Sequence, residues 1–100
     1  MQIVALRTLR QFWARHPQAE PPLRVWYSRA RAAAWKSPED VKAEFGGTVD
    51  FIADNRIIFD IAGNKYRLVV HVSYTFGRVL VKFVGTHKEY GAIDAEMVKR

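Results

Sequence analysis

The chain has 100 residues, a hydrophobic content of 49% and a formal net charge of +6. This length suits one domain with a modest core, and the hydrophobic content excludes a disordered chain. The absence of cysteine excludes a disulfide framework and thiolate zinc sites, and no apolar run approaches the roughly 20 residues of a membrane span. We therefore expect one soluble, cytoplasmic domain over residues 1–100, without a membrane partner.

The first half of the chain predicts a short strand at residues 2–5 and then helices. Thr8 and Gln11 have the spacing of a capping box, and Pro17 ends the apolar stripe that follows them. Pro21 and Pro22 stand where a second helix can begin. Its predicted inward face consists of Leu23, Trp26, Tyr27, Ala30 and Ala34.

The outward face of this second helix carries Arg24, Ser28 and Arg31, and its spacing does not distinguish a solvated surface from an RNA-facing one. A third helix is predicted to begin at Ser37, an N-cap residue followed by Pro38 and two acids. The pair Gly46-Gly47 is expected to end it.

After Gly47 the hydrophobic period changes to two, which predicts strands at residues 49–53, 56–62, 65–74 and 79–84. Turn residues separate these strands, and short connections make neighbours antiparallel. Residues 93–100 predict a weak last helix or a frayed end. The expected fold class is α+β, with an N-terminal strand and two to three helices packed on one face of an antiparallel sheet.

The other face of this sheet is expected to be open, and function is expected there. In the strand at 65–74, alternation places Lys65, Arg67 and His71 on the open face and alternate apolar residues in the core. The same alternation in the next strand places Lys82 on the face of Arg67 and Phe83 in the core.

Basic residues cluster in two segments that contain no acid, residues 21–36 and 65–88, although the chain has ten carboxylates. This distribution predicts positive charge on one side of the molecule, suited to an anionic partner.

Directly after the last strand stands "THKEY", with His87, Lys88, Glu89 and Tyr90. Such residues can form a catalytic cluster, or they can be the polar end of a strand. Metal-independent RNA cleavage needs groups that move protons and a cation that binds phosphate, and histidine, tyrosine and arginine supply both. The three histidines are scattered and form no ligand motif, so we expect neither a metal nor a cofactor.

Two segments, "FDIAGNKYRLVVHV" and "VKFVGTHKEYG", together resemble the HigB family of bacterial toxins within the RelE-like superfamily. The similarity extends over nearly the whole chain. It implies one RelE-like domain and a ribosome-dependent mRNA endonuclease that cuts in the ribosomal A site. It also implies inhibition by a cognate helix-turn-helix antitoxin, HigA-like, through which alone the complex would contact operator DNA.

By this resemblance Arg67 is the contact to the phosphate and the transition state, and His87 and Tyr90 are acid–base or stacking residues. Lys65 and Lys88 match the two motifs as RNA or ribosome contacts, and Lys82 and His71 are expected to bind RNA on the same face. Many relatives have an acid directly after the motif tyrosine, where this chain has Gly91. Glu89 is then the candidate catalytic carboxylate, with Asp94 as a substitute.

Two other functions remain open at this point. A ParE-like toxin of the same superfamily would inhibit DNA gyrase without cutting RNA, because a fold does not fix a function. A basic RNA-binding module would bind RNA with steep salt dependence and no cleavage. The histidine and tyrosine of "THKEY" argue against the ParE-like function.

Overall fold

The computed structural model describes residues 1–92, which form a five-stranded sheet with three helices on one face and a short fourth helix at one end. The helices are α1 (Leu6–Arg15), α2 (Glu20–Ala32), α3 (Pro38–Phe45) and α4 (His87–Tyr90). The strands are β1 (Gln2–Val4), β2 (Val49–Ile52), β3 (Arg56–Ile61), β4 (Tyr66–Ser73) and β5 (Arg78–Thr86). The predicted α+β class is confirmed. The helix predicted at 93–100 lies outside the described residues.

The strands lie in the order β1-β5-β4-β3-β2, and the last four form an antiparallel meander, as predicted. β1 pairs with β5 in parallel, with Ile3 opposite Val79, so the sheet is mixed at that edge. This parallel pairing is possible because three helices separate β1 from the hairpins and let the chain return in the same direction.

The predicted turns lie between the strands. Asp54, Asn55 and Gly63 have positive φ values of 65°, 56° and 70°. Asparagine, aspartate and glycine tolerate this left-handed conformation better than other residues, which is why these short segments reverse the chain.

Two details of the helix starts differ from the predictions. The predicted capping box at Thr8 is wrong: α1 begins at Leu6, and the Thr8 backbone N–H donates to the Ala5 carbonyl at 3.0 Å. Ala5 itself is left-handed, with φ 73°, so β1 passes directly into the helix. Ser37 does occupy the N-cap of α3, but its side chain makes no capping hydrogen bond.

The core lies between the three helices and one face of the sheet, which we call the covered face. Phe59 of β3 contacts Trp26 of α2 and Phe45 of α3, with ring centroids 5.5 and 4.9 Å apart. Val41, also on α3, is buried in the same core. Tyr27 is only half-buried, and Ala34 is exposed because α2 ends at Ala32. The covered face contributes Ile57, Phe59, Ile61, Tyr66, Leu68, Val70, Val72, Val79, Val81 and Val84.

The prediction that the basic segments share one side is wrong. The exposed arginines of α2 lie on the helical side of the sheet, whereas the basic residues of β4 and β5 lie on the open face. Arg24 and Arg29 also form ion pairs with Glu20 and Glu44, at 2.6 and 3.3 Å. Across residues 1–92 no helix is both long enough and apolar enough to cross a membrane.

Candidate active site

Across β3, β4 and β5 the open face of the sheet is organised in rows of three paired residues, because directly paired residues of neighbouring strands point to the same side. The Arg67 row consists of Asp60, Arg67 and Gly85. The apolar row consists of Ile58, Val69 and Phe83, and the His71 row consists of Arg56, His71 and Leu80. Charged rows therefore stand on both sides of an apolar row.

A β-bulge in β5 determines which residues belong to these rows. Val69 pairs with Phe83 but Val70 pairs with Val81, so Lys82 is the extra residue. An extra residue reverses the alternation beyond it. The prediction that Phe83 joins the core is therefore wrong: it packs on the open face against Ile58 and Val69, whereas Val84 enters the main core.

Arg67 is the central charged residue of its row. Its Nε lies 3.2 Å from Asp60 Oδ1, and only 13% of its side chain is exposed. Its Nη1 is buried and makes no hydrogen bond within residues 1–92. A guanidinium has five N–H donors, and an unsatisfied buried donor costs about 1–3 kcal/mol. An oxyanion would satisfy this group once the side chains that cover Nη1 move aside.

Tyr90 covers Arg67 from the side of α4. The Arg67 Cζ lies 5.9 Å from the centre of the Tyr90 ring, within the range of a cation–π contact. The ring also packs on the cluster of Ile58 and Val69. The structure thus brings together two of the predicted catalytic residues, which are 23 positions apart in the sequence.

The four residues of α4 are held by a capping box. The Glu89 backbone N–H donates to Thr86 Oγ1 at 3.1 Å, and the Thr86 backbone N–H donates to Glu89 Oε1 at 2.8 Å. The predicted catalytic carboxylate of Glu89 is therefore already occupied in fixing the start of α4.

Gly85 allows α4 to lie close to the sheet. A Cβ on Gly85 would lie 2.5 Å from Phe83 Cζ and 3.1 Å from Glu89 Cβ. Both distances are shorter than ordinary van der Waals contact. A side chain at this position would displace the Phe83 ring or α4, and Tyr90 with it.

The other predicted residues divide into two groups. Lys65, His87 and Lys88 are exposed at the Arg67 end of the sheet, where the His87 backbone N–H donates to the Lys65 carbonyl at 3.1 Å. Lys82 and His71 instead line a cavity at the other end of the open face. Asp94 lies outside the described residues.

Three residues of the site were missed by the sequence reasoning: Asp60, Gly85 and Thr86. The pairing of Asp60 with Arg67 could have been found by counting outward from the turn at Gly63. No group of three or more His, Asp or Glu side chains in the described part of the chain is arranged to hold a metal ion.

Comparison with known proteins places these residues in a family. Residues 19–93 match the HigB toxin family, described as the RelE-like toxic component of a toxin-antitoxin system. The mRNA interferase toxin HigB of Escherichia coli K12 is 28% identical over 96 residues, which cover 95% of this chain and 92% of that protein. The mRNA interferase HigB of Escherichia coli O6:H1 is 22% identical over 91 residues, 90% of this chain and 88% of that protein.

Proposed function

We propose that this chain, which belongs to the HigB family of RelE-like toxins, is an endoribonuclease that cuts mRNA and so stops translation. The relatives named mRNA interferases are similar to it along nearly their whole length. The observation that carries the proposal is Arg67. It is held by Asp60, lies beneath Tyr90 and has a donor without a hydrogen bond at Nη1.

The proposed reaction is attack of a 2′-oxygen on the adjacent phosphorus. The 2′-hydroxyl loses its proton, the bond from phosphorus to the 5′-oxygen breaks, and that oxygen takes up a proton as it leaves. The products are a 2′,3′-cyclic phosphate and a 5′-hydroxyl. No metal is required for this sequence of steps, and we propose that the chain itself cleaves without a bound metal ion.

Arg67 is proposed to bind the scissile phosphate and to stabilise the charge that develops on it. His87 and Tyr90 are proposed to move the two protons, because both are at the Arg67 end of the open face and carry suitable groups. Glu89 remains a candidate for this role, although the capping box supports a structural one. Lys65 and Lys88 are proposed to bind the surrounding RNA or the ribosome.

The substrate is proposed to be mRNA in the ribosomal A site, in the cytoplasm. The open face of so small a protein is too limited to orient the RNA by itself. The ribosome would hold the mRNA in the orientation that cleavage needs.

The family is the toxic half of a toxin-antitoxin system, which implies an antitoxin as partner. We propose a HigA-like helix-turn-helix protein, with operator DNA bound only through it. Co-expression of the neighbouring reading frame should rescue growth and yield a complex that binds the operator. The chain alone should not bind operator DNA in preference to other sequences.

The direct test of function is incubation of the purified chain with mRNA on programmed ribosomes and with the same mRNA alone. Cuts within the A-site codon, seen only with ribosomes, are expected. Intact mRNA together with inhibited gyrase supercoiling would instead indicate a ParE-like toxin. Intact mRNA with salt-sensitive RNA binding would indicate a non-catalytic module.

A further inference from the structure

A second basic cluster lies on the open face, away from Arg67. Two adjoining cavities of about 390 and 270 Å³ share His71 and Leu80 in their walls. The larger volume is within the range of about 300 to 1,000 Å³ found for small-ligand sites. The other residues that line the two cavities are Asp54, Arg56 and Lys82 in the first, and Val4, Ser73 and Arg78 in the second.

The charge of this cluster favours an anion. Arg56, Lys82 and Arg78 carry three positive charges, against the single carboxylate of Asp54, and His71 lies between the cavities. Arg56 is only 2% exposed, so its charge is poorly screened by water. Lys82 is the extra residue of the bulge, and bulges commonly redirect a side chain toward a site.

The spacing of the two basic clusters points to one linear ligand. Arg67 and His71 are four residues apart on β4, about 13 Å at about 3.3 Å per residue. This distance exceeds one step between adjacent phosphates of a nucleic-acid strand. A single phosphate cannot bridge the clusters, but an extended strand can reach both.

The apolar row between the clusters completes this pattern. Phe83 is half-buried there beside Ile58 and Val69, with Tyr90 packed at the Arg67 end. Aromatic side chains between basic ones are the usual surface on which single-stranded nucleic acid is bound, since bases stack on the rings and phosphates meet the cations.

We propose that the His71 cluster, defined as His71, Lys82, Arg78 and the underlying Arg56, is a second phosphate-binding site for the RNA strand. This inference rests on the proposed function and extends it. The strand places its scissile phosphate at Arg67, a base against Phe83, and a phosphate more than one nucleotide away at the His71 cluster. RNA too short to span the face reaches only the Arg67 end.

The test compares binding of two uncleavable RNAs, a trinucleotide and a nonanucleotide, each with a 2′-deoxyribose at the position of attack. The wild-type protein should bind the longer RNA at least about ten-fold more tightly. The double variant Lys82→Gln/Arg78→Gln should lose about that factor for the longer RNA and keep its affinity for the trinucleotide within about two-fold. The slope of log affinity against log salt concentration should become shallower by about 0.7, the value for one lost phosphate contact to a single strand.

The matched control is Arg7→Gln/Lys42→Gln, which removes the same charge from exposed residues of α1 and α3. It should lower the affinity for both RNAs equally or not at all. Equal wild-type affinity for the two lengths, or equal losses in the two double variants, would overturn the second site. These experiments measure binding, whereas cleavage on ribosomes tests the proposed function. The second site can therefore fail its test while the proposed function passes.

Discussion

The covered face and the open face of the sheet are built from alternate residues of the same strands, but they differ in what stabilises them. The covered face is one continuous cluster of aliphatic and aromatic side chains beneath three helices. The open face alternates charged rows with one apolar row, and within residues 1–92 only the short α4 lies over it. One face therefore carries the free energy of folding, and the other leaves charged groups available to a ligand.

The largest effect on stability is expected from Leu68→Ala on the covered face. Leu68 is fully buried and is the next residue after Arg67, but it points to the opposite side. Loss of its side chain should lower the free energy of unfolding by about 2–5 kcal/mol. Urea unfolding measures this loss, and cleavage per folded molecule should stay near that of the wild type. A large loss of cleavage per folded molecule would show that a change on the covered face also disturbs the open face.

A smaller effect is expected from Gly85→Ala, which tests how α4 lies on the open face. The new Cβ would overlap the Phe83 ring, so overpacking should cost about 1–3 kcal/mol and displace Tyr90. Both urea unfolding and cleavage should change. Gly47→Ala is the matched control, since a Cβ there meets nothing within 4 Å. Equal behaviour of the two variants would contradict the close packing of α4.

Two substitutions of Glu89 distinguish a role in positioning α4 from a role in the chemical step. Glu89→Ala removes the capping box and should cost about 1 kcal/mol of stability, with slower cleavage. Glu89→Gln keeps an oxygen that can accept the Thr86 N–H, because glutamine also serves in capping boxes. It should cleave at nearly the wild-type rate with the same pH dependence. If Glu89→Gln is as slow as Glu89→Ala, the carboxylate itself takes part in the reaction.

The smallest expected effect is on the covered side, at Tyr74. Burial raises the pKa of Tyr74 above its usual value of 10.0, and the charges of Glu39 and Asp40 raise it further. The folded state therefore favours the protonated phenol. The stabilisation that results is present below pH 10 and is lost as the pH rises through the raised pKa.

Tyr74→Phe removes this titration, so its free energy of unfolding should fall less steeply above pH 10 than that of the wild type. Glu39→Gln, which removes one of the two carboxylates, should give an intermediate slope. Urea unfolding between pH 8 and 11 measures these slopes. Parallel curves for wild type and Tyr74→Phe would show that this phenol does not titrate differently on folding.

The comparison of the two faces also shows what the sequence could predict. The alternation in β4 was sufficient to place Arg67 and His71 opposite the core, because β-strand geometry has a fixed period of two. The bulge at Lys82 was not predictable, since lysine there fits uninterrupted alternation and only the pairing reveals the extra residue. The assignment of Phe83 therefore failed.

The motifs placed Arg67 and Tyr90 in one site, and the structure brings these two residues together. The capping role of Glu89 was not predicted, although Thr86 and Glu89 have the capping-box spacing. A polar cluster after a strand can serve catalysis or helix capping, and the residue types alone do not decide which.

The central claim is that the Arg67 end of the open face cuts mRNA, and Arg67→Ala tests it most directly. We expect single-turnover cleavage on programmed ribosomes to slow by at least about 100-fold, which corresponds to about 2.7 kcal/mol of transition-state stabilisation. Arg24→Ala is the matched control, because Arg24 pairs with a carboxylate on the helical side. A cleavage rate for Arg67→Ala within a few-fold of both wild type and Arg24→Ala would contradict the claim.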